Sequence, residues 1–307
     1  MTGDELASAI ARRLGAAPTA AREIVGLGSV NRVFVISLAG GDRWVVRFGR
    51  NPLDTSHFAG EAWCLEAAAR HGVPAPRLVG AGEFDGTPFI VQTFVDGENA
   101  DRRRDPELWR TLGGYARRVN GFALDRSAPD ALFGRFGRDP RASWSAHVRY
   151  NVAQLTSVDP LIDLGVYARA DQRELRACIE GLAERVTRFG LSHGDLVPRN
   201  VLLPPRGAPT LVDWGSASAG PVPFVDYLRV LADEAGEGFA PADFAAFAEG
   251  YGVAPEPLLP TLADIRLLSR IDLVRWALDR RPDRVAEIAA KSALAVREWF
   301  AARHRMT

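Results

Sequence analysis

Apolar residues first recur at helical spacing: Leu6, Ile10 and Leu14 share one face of a helix that Gly15 can end. Between Ile24 and Phe48 the period shortens. "VFVISL" and "RWVVRF" are β-rich runs separated by "AGGD", a hairpin signal. Phe58, Ala62, Leu65 and Ala69 restore the helical period over 58–70, and "LVGAGEFDGTPFIVQTF" predicts a second hairpin around Asp85-Gly86. Beyond "VDGE" (Val95 to Glu98) the pattern is almost wholly helical. Asp105-Pro106 opens a helix with Leu108, Leu112, Tyr115 and Val119 inward, and Asp171 caps another with Leu175, Ile179, Leu182 and Val186. Helices also fit 224–234, 241–251, 258–280 and 283–303, with one β interruption, "VLLPPRGAPTLVDW". There is no internal repeat. The pattern predicts an α+β chain of two lobes: a small β-rich lobe carrying one key helix over 1–95, and a larger, mostly helical lobe over 96–307. A cleft between such lobes is where a small ligand binds.

Composition narrows the partners. The 307 residues hold 38 positive and 38 negative side chains, a net charge of +0, so nothing pulls the whole surface toward nucleic acid or anionic membrane. Cys64 and Cys178 are too few for a disulfide framework or a zinc site and are expected to be free thiols in a reducing compartment. "MTGDELASAIARRLG" is unlike a secretory leader, and no apolar run reaches the ~20 residues of a spanning helix. A soluble, cytoplasmic protein is expected, as a monomer or dimer.

Chemistry concentrates in "SHGDLVPRN", Ser192 to Asn200. Asp195 and Asn200 stand five apart across a turn shortened by Pro198, and the next β-rich run ends at Asp213. If "VLL" and "TLVD" pair around "PPRGAP", Asp213 returns beside Asn200. Two carboxylates and an amide oxygen then converge, a donor set suited to Mg²⁺. Upstream, "VGLGSVNRVFVI" puts Gly26 and Gly28 between two β runs, where backbone can approach phosphates; Arg47 follows on the next strand, and Glu61 on the next helix can pair with it.

In this order the motifs resemble the aminoglycoside phosphotransferase and choline kinase-like family, relatives of the protein kinases in fold. "HGDLVPRN" is similar to that family's catalytic loop, "LVDWGSASAGPVPFVDY" to its metal-binding segment, "FAGEAWCLEAAARHGVPAPRLVG" to its helix and exit strand, and "FIVQTFVDGE" to its interlobe linker. The resemblance implies a protein-kinase-like fold and transfer of the γ-phosphate of ATP or GTP, with Mg²⁺, to a small-molecule hydroxyl, most of all that of an aminoglycoside-like or other antibiotic. It implies Asp195 as base, Asn200 and Asp213 as metal ligands, and Arg47, held by Glu61, as the phosphate cation. Gly26, Gly28, Ser29 and Asn31 would lie along the phosphates. Thr93 and Val95 would offer backbone groups to the base edge, with Gln92 behind.

Two positions depart from the protein-kinase pattern. Arg47 replaces the usual Lys in a chain whose only Lys is Lys291, and Val197 stands where protein kinases carry a phosphate-steadying Lys. The first follows the chain's general use of Arg for Lys and still supplies charge to phosphates; the second disfavours protein-kinase activity and leaves the small-molecule branch. The stretch 226–256 is acidic, with Arg229 its only Arg or Lys; Asp233 and Glu234 are the expected contacts for a cationic acceptor. The rivals are a metabolite kinase acting on choline, homoserine, a sugar or a thio-sugar, a nucleotide-binding pseudokinase, and a metal-dependent hydrolase built on His193, Asp195 and Asp213.

Overall fold

The computed structural model describes residues 1–24, 31–49, 54–101, 105–231 and 241–305. Elements run in chain order as α1 (Gly3–Arg13), β1 (Pro18–Glu23), β2 (Arg32–Leu38), β3 (Arg43–Phe48), α2 (Asp54–Arg70), β4 (Leu78–Phe84), β5 (Thr87–Thr93), β6 (Glu98–Asn99) and α3 (Pro106–Val119). Then follow α4 (Pro140–Gln154), α5 (Pro160–Asp163), α6 (Gln172–Arg185), β7 (Phe189–Ser192), β8 (Val201–Leu203), β9 (Thr210–Leu211), β10 (Ser218–Pro221), α7 (Phe224–Leu231), α8 (Pro241–Tyr251), α9 (Leu259–Arg280) and α10 (Val285–His304). A β-sheet N-terminal region thus precedes a helical C-terminal one. Among the described residues no helix is long and apolar enough to cross a membrane.

The chain divides into two compact units, 1–134 with 190–252 and 135–189 with 253–307. In the first, a five-stranded antiparallel sheet has the order β1-β2-β3-β5-β4. Directly paired residues share a face, so register sorts the side chains. Phe34↔Val46↔Val91 and Ile36↔Trp44↔Thr93 lie on one face; Val33↔Arg47↔Ile90 and Val35↔Val45↔Gln92 lie on the other. The first face is apolar and packs Phe34, Ile36, Val46, Phe48, Phe89 and Val91 against Ala7, Ile10 and Ala11 of α1. Thr2 and Glu5 close a reciprocal capping box that starts that helix. The second face carries Arg47 toward α2. The edge strand β1, "PTAARE", was not predicted, because its residues are only half-buried or exposed and it carries no apolar alternation.

The same unit contains two small sheets that build the site. β8 and β9 pair as the expected hairpin, Val201↔Leu211 and Leu202↔Thr210, with β6 alongside β8; β7 pairs with β10. Helices α3 and α8 pack at close range: a Cβ on Gly113 would sit 2.0 Å from the Phe247 carbonyl oxygen, and one on Gly250 would sit 1.8 Å from that of Arg110.

The second unit is helical. Its buried polar centre is Asp159, which accepts hydrogen bonds from Arg275 Nη1 at 3.0 Å and Nη2 at 2.7 Å, and from the Tyr167 hydroxyl. In α4 only Trp144, Val148 and Asn151 are buried, a stripe too thin to stand out in the sequence.

Candidate active site

β7 delivers the loop that begins at His193. The His193 ring is fully buried, edge-on to Trp214 with centroids 4.7 Å apart, and burial lowers its pKa to about 4, against the raising influence of Asp213 and Asp195. The imidazole is held neutral at pH 7 and packs against Trp214 beneath the loop surface. Gly194 follows with φ +80, where an added Cβ would fall 2.1 Å from the Ser216 carbonyl oxygen. Its N–H donates to Asp226 Oδ1 at 3.1 Å, and Asn120 Nδ2 donates to Asp226 Oδ2 at 3.2 Å. Asp226 is fully buried, and that burial raises its pKa to about 6. The trailing Asp of the motif therefore anchors the backbone of the Ser192–Asn200 loop at Gly194.

Asp195 is 9% exposed and heavily bonded. Asn200 Nδ2 donates at 2.8 Å both to its carbonyl oxygen and to Oδ2. Arg229 donates to Oδ1 through Nε at 3.0 Å and also through Nη2. Arg199 Nη2 lies 3.1 Å from both carboxylate oxygens. Burial alone would raise the Asp195 pKa; the charge of Arg229, the Asn200 hydrogen bond and the charge of Arg199 outweigh it and hold the pKa below its ordinary value.

The β8–β9 hairpin returns Asp213 to this loop, since Val212 N–H donates to the Asn200 carbonyl at 2.9 Å. Asp213 is in the left-handed region, φ 61 and ψ 64, an unusual conformation for a residue other than glycine. Arg47 Nη2 approaches its Oδ1 at 3.9 Å, while Arg47 Nη1 donates to Glu61 Oε1 at 2.5 Å. Glu61 is buried on α2; burial raises its pKa, Arg47 opposes that, and Asp213 adds to it.

Asp195, Asn200, Asp213, Arg47 and Glu61 thus form one connected set. Gln92 lies on the Arg47 face of the sheet with Oε1 buried and, among the described residues, without a hydrogen-bond partner; Asn31 Oδ1 is in the same condition. Thr93 lies on the opposite face. Its N–H donates to the Arg77 carbonyl at 2.9 Å and its Oγ1 accepts from Arg77 N–H at 3.0 Å, so that N–H is committed within the sheet. Val95 is half-buried just beyond β5. Gly26, Gly28, Ser29, Asp233 and Glu234 lie outside the described residues. Of the acidic stretch, Glu249 pairs with Arg110 at 2.9 Å. Sequence reasoning missed both guanidiniums on Asp195: Arg199 stood inside the quoted motif, and Arg229 drew notice only as the lone basic residue of 226–256.

Comparison with known proteins matches residues 22–268 to the APH family, described as a phosphotransferase enzyme family. The chain is 30% identical over 202 residues to an aminoglycoside 3′-phosphotransferase of Streptomyces ribosidificus, covering 64% of this chain and 74% of that one. It is 25% identical over 165 residues to a probable ketoamine kinase of Staphylococcus aureus, covering 52% of this chain and only 56% of that relative's length. Among solved structures, the GDP and kanamycin complex of an APH(2″) enzyme superposes with a TM-score of 0.65 at 17% identity, covering 92% of this chain and 94% of that one. The fold is therefore the α+β, protein-kinase-like one, and the chain belongs to the APH phosphotransferase enzyme family.

Proposed function

We propose that this enzyme transfers the γ-phosphate of ATP or GTP to a hydroxyl of a small molecule. The observation that carries the reading is the connected set itself. Asn200 is tied to Asp195, the Val212 N–H holds the Asn200 carbonyl just before Asp213, and Arg47 spans Glu61 and Asp213, so the three acids, the amide and the cation are linked one to the next. Residues 1–95 supply the nucleotide contacts and 96–307 the catalytic loop and acceptor wall.

In this reading Asp195 receives or orients the acceptor's hydroxyl proton. Asn200 keeps Asp195 in place through Nδ2, which leaves its Oδ1 as a donor to a cation, and Asp213 adds a carboxylate. Among the described residues no cluster of three His, Cys, Asp or Glu side chains could hold a metal by itself, but one amide oxygen and one carboxylate suit Mg²⁺, which usually takes its remaining oxygens from phosphates and water. When bound, that ion would neutralise phosphate charge and orient the phosphoryl group. Arg47, aimed by buried Glu61, gives the phosphates a fixed cation with a planar fork. Phosphoryl transfer asks the protein mainly for positioning and charge neutralisation, which these residues offer.

For the acceptor, the relatives' names support a hydroxylated antibiotic, with a metabolite of ketoamine type as the second reading. The test is a phosphate-transfer screen with ATP and with GTP, plus Mg²⁺, against cationic, neutral and anionic hydroxyl compounds. Mass spectrometry should find a product heavier by one phosphate. Nucleotide turnover with no phosphorylated product from any class would contradict the proposal.

A further inference from the structure

A cavity of about 150 Å³ lies within the first unit, and none of its lining residues belongs to the active-site set. α2 supplies one side: Trp63, Ala67, Arg70 and His71 recur at helical spacing and share a face. The segment after α3 supplies the other, with Phe122, Asp125 and Ser127. Trp63, Ala67 and Phe122 are buried and give the cavity apolar, largely aromatic walls. A cavity of this volume accommodates one benzene-sized ring.

The charges at its rim are not alike. Asp125 is committed to its own turn, where Oδ1 accepts the Ser127 N–H at 2.8 Å and the Ser127 hydroxyl at 2.6 Å. That hydroxyl in turn accepts Trp63 Nε1 at 3.2 Å. Arg70 is exposed in the last turn of α2, and among the described residues its guanidinium makes no hydrogen bond or ion pair; it acts on Asp125 through charge alone. A guanidinium fork matches a carboxylate or a phosphate, and the negative Asp125 on the same rim favours the singly charged group of the two.

We propose that this cavity is an effector site for a small monocarboxylate with an apolar body of one-ring size, and that its occupancy tightens nucleotide binding. Glu61 precedes Trp63 by two residues, which places them on nearly opposite faces of α2. One face aims Arg47, and the other borders the cavity. On the far wall Phe122 stacks on Trp214, with centroids 6.4 Å and planes 15° apart, and Trp214 directly follows Asp213. The cavity thus touches both the helix behind the Arg47–Glu61 pair and the ring behind Asp213. Walls that face a void lack contacts on that side, so a ligand filling it stabilises the arrangement in which Arg47 and Glu61 are paired. By linkage, nucleotide must tighten the effector by the same factor. The coupling rests on the phosphotransferase reading above; the binding site does not.

The test titrates benzoate, and benzamide as its neutral isostere, into the wild-type protein by calorimetry, with and without nucleotide and Mg²⁺. Benzoate should bind about fivefold or more tighter than benzamide, the scale of one charge-assisted pair. Arg70→Gln should bring the two Kd values within about twofold of each other, and Ala67→Leu, which fills the cavity, should remove both. Arg70 lies on the surface, so its variant keeps the test valid should Ala67→Leu fail to fold. Saturating benzoate should tighten nucleotide binding by about fivefold or more, and saturating nucleotide should tighten benzoate equally. Equal affinity for benzoate and benzamide, a benzoate preference that survives Arg70→Gln, or a nucleotide Kd indifferent to benzoate overturns the proposal. Absence of nucleotide binding in the wild type would instead sink the phosphotransferase reading, and the benzoate titrations would still decide the site.

Discussion

Asp213 and Asn200 reach the same place from opposite sides of a hairpin, but they are not equivalent. Asp213 brings a formal charge in a left-handed conformation; Asn200 brings a dipole already oriented by its two bonds to Asp195. Asp213→Ala should therefore abolish the Mg²⁺-dependent part of nucleotide binding, whereas Asn200→Ala should weaken it less, since water can replace an amide ligand. Calorimetric titration of nucleotide with and without Mg²⁺ checks this, and unaltered metal dependence in both variants would contradict the assignment. Asp226 poses a different test. The folded protein holds its proton up to about pH 6, while an unfolded chain releases it near pH 4. Between those values the native state binds the extra proton, so this group's contribution to stability is present below about pH 4 and is lost as pH rises through about 6. The Tm of the protein minus that of Asp226→Asn should fall across pH 4 to 6; parallel curves would show that Asp226 does not titrate there.

At the scale of elements, the two-residue period of a strand separates neighbours that the sequence treats alike. Gln92 shares the Arg47 face and Thr93 shares the Trp44 face, away from Arg47. Thr93→Ala should leave the nucleotide Kd within about twofold, while Gln92→Leu or Gln92→Trp should shift it by roughly tenfold or more, since buried volume changes force repacking. The reverse order in a binding titration would misplace the linker. Helix packing gives a second test: Gly113→Ala drives a methyl into the Phe247 carbonyl and should cost about 1–3 kcal/mol, read as a lower Tm. A Tm no lower than the parent's would mean that α3 and α8 can separate freely. What was legible in the sequence follows the same division. The Asp85-Gly86 turn, the β8–β9 hairpin and the Arg47–Glu61 pair were readable because each is encoded by local period, turn chemistry or complementary charge. β1, the β7–β10 pair and α4 were not, being short, exposed or thinly buried. The guanidiniums on Asp195 were the least visible: Arg229 arrives from a helix 34 residues away, a tertiary contact with no periodic signature.

Across the whole molecule the charge sums to +0, so any selectivity for charged ligands has to be local. The described structure has such a locality, in which Asp195 is held by an amide and two guanidiniums and joined through the β8–β9 hairpin to Asp213, Arg47 and Glu61. In the proposed function, phosphoryl transfer runs through Asp195. The direct measurement is turnover of Asp195→Asn on the best acceptor from the screen, with nucleotide affinity measured in parallel. This substitution keeps the size of the side chain and removes the proton acceptor. kcat should fall by roughly 10²–10⁴-fold with nucleotide Kd nearly unchanged; near-normal turnover by a folded Asp195→Asn variant would contradict the account.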